Sequence, residues 1–285
     1  MTHIAARPGN TAIITGAADG IGLASACTLA GLGMNLCLVD IDGEKLSAKA
    51  TEHVLPALDG DASRLLLWPM DVANRDAFAG LKTAVIERFG AVHWLMNNAG
   101  IPGGGESWNN FDRWRQVLDV NLWGAINAVS EFAETMIAQD CASVIINTGS
   151  KQGITCPPGD TPYNISKSAL KTFTEQLQHT LRNTKDCKVT AHLLVPGFTY
   201  SGMVSQWLDE KPDSAWWPQQ VVDFMLESLA QGHFYILCPD NDVTPEMDAQ
   251  RIRWSADDII EQRPPLSRWH EDYDELYKAH EKKTR

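Results

Sequence analysis

Short runs of consecutive apolar residues, separated by helix-like segments, constrain the fold of this chain most. The runs are TAIIT (11–15), NLCLVD (35–40), RLLLWPMD (64–71), HWLMNNAG (93–100), SVIINTGS (143–150), KVTAHLLVPG (188–197) and FYILCP (234–239). A strand that is apolar on successive positions is covered on both faces, which is typical of a parallel sheet. The amphipathic segments between the runs, such as 74–90 and 168–183, complete βαβ units and predict a doubly wound α/β fold.

Composition narrows the class of protein and of partner. The chain has 285 residues, a formal net charge of −12, and 44% hydrophobic and 21% charged residues, which is ordinary for a protein with a sizeable core. An acidic balance argues against a nucleic-acid binder, which needs basic groups against phosphate. No apolar run approaches the roughly 20 residues of a membrane span, so no membrane partner is expected.

The cysteines and histidines add further expectations. The six cysteines include no C-x-x-C pair, and the N-terminal stretch lacks the apolar core of a signal peptide, so we expect reduced thiols in a cytoplasmic protein. The eight histidines show no H-x-x-x-H spacing, so no metal site is predicted.

The glycine turn after the first run points to a dinucleotide. Gly16, Gly20 and Gly22 lie between the first predicted strand and a predicted helix. Glycines permit a tight turn and close approach of a pyrophosphate, and the helix N-terminus favours its negative charge. A tight turn without a ligand is the alternative, but the position at the start of a βαβ unit favours binding.

Asp40 ends the second run and predicts which dinucleotide binds. A carboxylate there accepts both adenosine ribose hydroxyls and repels the 2′-phosphate of NADP, so NAD is favoured. The alternative is that Asp40 caps the next helix, because a helix-like segment begins in DIDGEKL.

Taken in order, these and further motifs resemble the short-chain dehydrogenase/reductase family. The motifs are TGAADGIG (15–22), Asp40, DV (71–72), NNAG (97–100), Asn121, Ser150, YNISK (163–167) and PG (196–197). The resemblance implies a Rossmann fold with a seven-stranded parallel sheet and helices on both faces, in a domain spanning 1–240. Residues 241–285 are then an extension that packs on the same domain.

The resemblance also implies a catalytic set of Asn121, Ser150, Tyr163 and Lys167. A phenol has a pKa of about 10, and Lys167 lies one helical turn from Tyr163, so its ammonium is expected to lower that pKa. Tyr163 then acts as acid and base, Ser150 holds the substrate oxygen, and Asn121 disturbs its helix and holds a water beside Lys167.

The cofactor contacts are carried over in the same way. They are Gly16, Asp19, Gly20, Ile21, Gly22, Asp40, Asp71, Val72, Asn98, Ala99, Gly100, Tyr163, Lys167, Pro196, Gly197, Thr199 and Ser201. After PG the family usually has a threonine, and here Thr199 or Ser201 fills that place.

These residues predict an NAD-dependent oxidoreductase that interconverts a secondary alcohol and a ketone. An NADP-dependent carbonyl reductase and a non-catalytic dinucleotide-binding sensor remain alternatives. Trp207, Trp216 and Trp217 lie in an irregular segment, 198–218, that is expected to close over a hydrophobic or aromatic small-molecule substrate. The family implies a homodimer or homotetramer.

Overall fold

Seven strands form one parallel sheet in the computed structural model, which describes residues 3–283. The strands are β1 (Thr11–Thr15), β2 (Asn35–Asp40), β3 (Leu65–Pro69), β4 (Trp94–Asn97), β5 (Ser143–Thr148), β6 (Val189–Val195) and β7 (Tyr235–Leu237). Each lies within one of the seven apolar runs, so the sequence prediction of the sheet is confirmed. The predicted domain begins at residue 1 and the predicted C-terminal extension ends at residue 285. Residues 1–2 and 284–285 lie outside the described residues.

The strand order β3-β2-β1-β4-β5-β6-β7 fixes where a ligand can bind. The chain runs outward from β1 to β3 and then returns to the other side of β1 with β4. Adjacent helices therefore leave the sheet in opposite directions at the β1–β4 boundary, which opens a crevice at the carboxyl ends of the strands.

Eleven α-helices surround the sheet or follow it within the described residues. They are α1 (Gly20–Gly31), α2 (Gly43–Lys49), α3 (Leu55–Ala57), α4 (Ala77–Phe89), α5 (Phe111–Leu118), α6 (Gly124–Ala138), α7 (Gln152–Thr155), α8 (Thr161–Asn183), α9 (Pro218–Ala230), α10 (Pro245–Ile260) and α11 (Asp274–Lys283). A π-helical turn, Asp119–Trp123, joins α5 to α6, and another, Ala50–Val54, joins α2 to α3.

Two hydrophobic cores lie on opposite faces of the sheet. Ile14 of β1 packs in the core that contains α1, α2 and α9, whereas its neighbour Ile13 packs in the core that contains α4, α6 and the end of α8. Successive side chains of one strand thus enter different cores, which explains why the strands are apolar at consecutive positions.

The C-terminal segment forms a small structure of its own around Trp254. The indole packs edge-on against Tyr277 at 5.2 Å between ring centroids, and the Arg263 guanidinium lies 3.9 Å from its ring centroid. Asp248 of α10 pairs with Lys151 at 2.7 Å, which joins this segment to the loop after β5. Within residues 3–283, no helix combines the length and apolarity needed to cross a membrane.

Candidate active site

A cavity of about 670 Å³ follows the carboxyl edge of the sheet across the β1–β4 boundary. The predicted site residues that line it are Gly16, Asp19, Gly20, Ile21, Asp40, Asn98, Gly100, Ser150, Tyr163, Lys167, Pro196, Gly197, Thr199 and Ser201. Strand ends, the glycine turn, the start of α8 and the segment after β6 thus meet in one place. Most of the predicted cofactor residues and three of the four predicted catalytic residues thus share this cavity.

The glycine turn leaves no room for side chains at two positions. Gly16 has φ of +65°, and a Cβ there would lie 2.8 Å from the Ala99 Cα. A Cβ on Gly22 would lie 2.1 Å from the Gly16 carbonyl oxygen. Gly22 therefore packs α1 against the turn and does not line the cavity, while Ala99 supports the turn through its backbone.

Asp19 begins α1, and its Oδ1 accepts the Gly20 N–H at 2.6 Å. The remaining N–H groups of the first turn of α1 form a positive helix end beside the cavity. Ser201 Cβ lies across the turn, 2.9 Å from where a Gly20 Cβ would stand.

Asp40 ends β2 and anchors the glycine turn. One carboxylate oxygen accepts the Ala18 N–H at 3.0 Å, and the other accepts the Asp42 N–H at 3.2 Å. The cap of α2 is Asp42, whose carboxylate accepts the Lys45 N–H at 2.9 Å. The alternative that Asp40 serves as the helix cap is therefore wrong.

Asn98 connects three strand ends with one side chain. Its Nδ2 donates to the Thr15 and Gly16 carbonyls, both at 3.2 Å, and its Oδ1 accepts from Thr148 Oγ1 at 3.3 Å. The amide thus joins β1, β4 and β5 beneath the cavity, and it fixes the position of the glycine turn.

The structure distinguishes the two hydroxyl residues after β6. Thr199 is buried, its hydroxyl donates to the Gly197 carbonyl at 3.1 Å, and its backbone bridges to Trp216. Ser201 is less buried and faces the start of α1. Ser201 is thus the better placed of the two hydroxyls for a phosphate at that helix end.

Tyr163 and Lys167 lie on the first turns of α8 beside the end of β5. Lys167 is 4% exposed, and its Nζ donates to the Thr148 carbonyl at 2.7 Å. The same nitrogen lies 5.7 Å from the centroid of the Tyr163 ring. Burial lowers the pKa of Lys167 to about 8 because the interior disfavours its charged form.

The pKa of Tyr163 moves in the direction opposite to the sequence expectation. Burial raises it, a hydrogen bond with Ser150 lowers it by less, and the nearby Asp160 carboxylate raises it further. Desolvation of the phenolate therefore outweighs the Ser150 hydrogen bond, and the lowering expected from Lys167 is not found. In this geometry Tyr163 is a phenol at neutral pH, ready to donate a proton.

Asn121 lies beneath the cavity rather than in its lining. It occupies the π-helical turn, so its helix is irregular at this residue, as the family resemblance implied. Its amide accepts the Ile101 N–H at 2.8 Å and donates to the Ile101 carbonyl at 3.0 Å. The Asn121 amide oxygen and the Lys167 ammonium both lie close to Gly100. A Cβ on that glycine would be 3.4 Å from Asn121 Oδ1 and 3.7 Å from Lys167 Nζ.

Asp71 and Val72 do not line the cavity either. Asp71 is exposed and accepts the Ala73 N–H at 2.9 Å, while Val72 is buried against Gly124. Their expected contact with the cofactor stays a prediction.

Sequence reasoning missed four charged residues that line the cavity: Asp42, Lys45, Lys151 and Asp160. Lys45 Nζ pairs with Asp19 at 2.5 Å. Lys151 pairs with Asp240 at 3.4 Å and Asp248 at 2.7 Å. Two of the four could have been found, because Lys151 follows Ser150 directly and Asp160 precedes Tyr163 by less than one helical turn.

Of the three predicted lid tryptophans, only Trp207 lines the cavity. Trp216 packs against Phe224 at 6.1 Å between ring centroids, and Trp217 packs against Tyr200 at 5.8 Å. Both therefore lie outside the cavity lining, Trp216 against α9 and Trp217 against a residue of its own segment. The apolar side chains that this segment contributes to the cavity are Phe198, Met203, Val204 and Trp207.

A second cavity of about 240 Å³ adjoins the first. It is lined by Pro102, Gly103, Gly104, Gly105, Gly159, Asp160 and Trp207. Pro102, Asp160 and Trp207 line both cavities. No cluster of three or more His, Cys, Asp or Glu side chains suited to a metal occurs in the part of the chain that the structure describes.

Comparison with known proteins agrees with this geometry. The sequence profile of the short chain dehydrogenase family matches residues 10–212. A Lactiplantibacillus plantarum protein named CLA biosynthesis dehydrogenase/reductase is 31% identical over 191 residues, covering 67% of this chain and 65% of that protein. The alignments span 60–65% of the length of the first curated relatives that the chain matches.

Solved structures extend the comparison to the fold. A short chain dehydrogenase/reductase from Burkholderia phymatum, in complex with NAD, has a TM-score of 0.79 and 31% identity, with 90% of this chain and 96% of that chain covered. A metagenomic short-chain oxidoreductase, in complex with NADP, has a TM-score of 0.67 and 28% identity, with 82% and 98% covered. A nicotinamide dinucleotide cofactor is common to both. The chain belongs to the short-chain dehydrogenase/reductase family.

Proposed function

We propose that this protein is an NAD-dependent oxidoreductase that interconverts a secondary alcohol and a ketone. One observation carries the proposal: Ser150, Tyr163 and Lys167 line the same cavity as the glycine turn and Asp40. Proton-transferring groups and a dinucleotide cradle are thus close enough to act on one substrate. A binding module has no physical need for a buried lysine beside a phenol, which argues against the non-catalytic sensor.

The charges at the β2 end of the cavity favour NAD. Among the described residues that line this end are Asp19, Asp40 and Asp42 and one cation, Lys45. Three carboxylates against one ammonium leave a net negative charge, which disfavours a 2′-phosphate. Lys45 is the one observation in favour of NADP, but its ammonium already pairs with Asp19.

The bound nicotinamide supplies the hydride chemistry, and the chain supplies proton transfer and orientation. In alcohol oxidation Tyr163 Oη would take the hydroxyl proton of the substrate, for which it must first be a phenolate, the minor form at neutral pH because burial raises its pKa. Ser150 is placed to hold the substrate oxygen, since its hydroxyl bonds with Tyr163. Lys167, fixed by the Thr148 carbonyl, supplies positive charge that favours the phenolate. Ketone reduction is the reverse, with Tyr163 donating.

NAD reduction over a panel of secondary alcohols tests this proposal. We expect turnover with NAD, slower turnover with NADP, and a loss of about 10²–10⁴-fold in Tyr163→Phe, the usual contribution of general acid–base catalysis. NAD affinity, measured by calorimetry, should be retained in that variant. Tyr273→Phe, in the C-terminal segment, is the matched control. Turnover in Tyr163→Phe equal to that of the control would overturn the mechanism.

We propose further that residues 241–285 extend the same domain and that the enzyme is a cytoplasmic homo-oligomer. The Lys151–Asp248 pair supports the first point. Six cysteines without disulfides and the exposed Trp108 and Phe111 (74% and 66% exposed) support the second. Light scattering during gel filtration tests the oligomer, and a monomer would contradict it.

A further inference from the structure

Asp160 directs its carboxylate away from the helix that it begins. It is the N-cap residue of α8, a place where aspartate normally accepts a hydrogen bond from the helix N-terminus, yet its side chain makes no such bond. Its Oδ1 instead accepts the Gly104 N–H at 3.1 Å. A Cβ on Gly103 would lie 1.7 Å from the same oxygen, so the carboxylate rests directly on the glycine loop.

This orientation places the carboxylate between the two cavities. Asp160 lines the main cavity with Tyr163 and the second cavity with Trp207. The indole of Trp207 is 65% exposed, so it is accessible to a ligand. Among the described residues that line the second cavity, Asp160 is the only charged one, and the rest are proline, glycine and tryptophan.

The neighbouring cations Arg113 and Lys151 bind other groups and form no ion pair with Asp160. Arg113 donates to the Gly103 carbonyl at 2.9 Å, to the Pro102 carbonyl and to Gln116 Oε1 at 3.3 Å. Lys151 pairs with Asp240 and Asp248. Across residues 3–283, no ion pair involves Asp160.

We propose that the second cavity binds the protonated amine of an amino alcohol or amino ketone whose reacting carbon lies at Tyr163. A carboxylate and an accessible indole together favour a cation, through a charge-assisted hydrogen bond and a cation–π contact. The same carboxylate repels acidic substrates. The inference rests on the proposed function, because it assigns the substrate class of that site.

The position of Asp160 also makes the pKa of Tyr163 depend on the charge of the substrate. Burial is the main reason for the raised pKa of Tyr163, and the Asp160 carboxylate adds to it. A bound ammonium neutralises that carboxylate and so lowers the pKa of the phenol. Cationic alcohols should therefore reach maximal oxidation rates at lower pH than neutral alcohols of the same shape.

A binding experiment tests the cation site independently of turnover. Benzylammonium and its neutral isostere benzyl alcohol are titrated into the NAD-loaded protein by calorimetry. We expect the cation to bind about tenfold more tightly, a difference of roughly 1.4 kcal/mol, and Asp160→Asn to abolish that difference. Asp209→Asn, an exposed carboxylate outside both cavities, is the matched control. Equal binding of the two probes to the wild-type protein overturns the proposal, even if Asp160→Asn fails to fold.

A kinetic experiment separates this proposal from the proposed function. Secondary alcohols are compared in pairs, with an ammonium or a methyl group at the same position. We expect kcat/KM to be about tenfold higher for the charged member and this ratio to fall to about one in Asp160→Asn. If only the neutral alcohols are turned over, the cation site is contradicted and the proposed oxidoreductase function is still supported. Tighter benzylammonium binding without turnover of any alcohol supports the cation site and contradicts the oxidoreductase.

Discussion

An Asp40→Asn substitution is expected to reduce the preference for NAD over NADP, because it removes the carboxylate at the end of β2. Two unit charges about 4 Å apart repel by about 1 kcal/mol in water and about 4 kcal/mol at an effective dielectric constant of about 20. Asp40 is partly exposed, so we take about 2 kcal/mol, which corresponds to about 30-fold in kcat/KM for NADP.

The same substitution should weaken the binding of NAD. The asparagine amide loses the charge-assisted hydrogen bonds to the ribose hydroxyls, worth about 1 kcal/mol or about fivefold. Together the two effects reduce the NAD-to-NADP ratio of kcat/KM by about two orders of magnitude. The side chain also loses an acceptor for the Ala18 or Asp42 N–H, so the melting temperature should fall slightly.

The assay is the steady-state rate of cofactor reduction with one alcohol and varied NAD or NADP. Asp42→Asn is the matched control, because it removes the same charge two residues away while its role is the α2 cap. We expect the control to change the ratio by less than about fivefold. An unchanged ratio in Asp40→Asn, or a wild-type preference for NADP, would refute the reasoning.

Three further predictions concern ionisable groups of the site. Because burial lowers the pKa of Lys167 to about 8 from 10.5, the folded chain binds fewer protons there than the unfolded chain. The cost of the buried ammonium, about 3 kcal/mol, is complete below pH 8 and is relieved as pH rises from about 8 to 10.5. Wild-type stability relative to Lys167→Met, measured by urea unfolding, should therefore rise across that range, and a constant difference would contradict this. Ser150→Ala should lower kcat and shift the pH–rate profile upward, since burial already raises the pKa of Tyr163 and Ser150 lowers it; an unshifted profile argues against the Ser150–Tyr163 bond. Lys151→Met leaves Asp240 and Asp248 without their cation and should lower the free energy of unfolding by about 2–3 kcal/mol. The control Lys188→Met breaks an exposed pair and should lower the free energy of unfolding by less than about 1 kcal/mol.

The sheet was predictable because its strands carry a local signal. A strand whose side chains pack in two cores is apolar at successive positions, and Ile13 and Ile14 show this within β1. The lining of the main cavity was largely predictable for a related reason. Gly16, Asp40 and Ser150 lie at or just after strand ends, and parallel strands bring their carboxyl ends to one edge.

Other features depend on contacts that no local pattern records. The pairing of Lys151 with Asp248 joins residues nearly a hundred positions apart. Trp216 and Trp217 look like Trp207 in sequence, but they pack against Phe224 and Tyr200 and do not line the cavity. The pKa of Tyr163 depends on burial, which spacing along a helix cannot give.

Hydride transfer itself tests the central claim most directly. A panel of secondary alcohols deuterated at the carbinol carbon is incubated with NAD and either the wild-type protein or Tyr163→Phe, and the nicotinamide is analysed by mass spectrometry. The account predicts deuterium on the reduced nicotinamide with the wild-type protein and about 10²–10⁴-fold slower labelling with the variant. Absence of label with every alcohol, or equal labelling by both proteins, would contradict it.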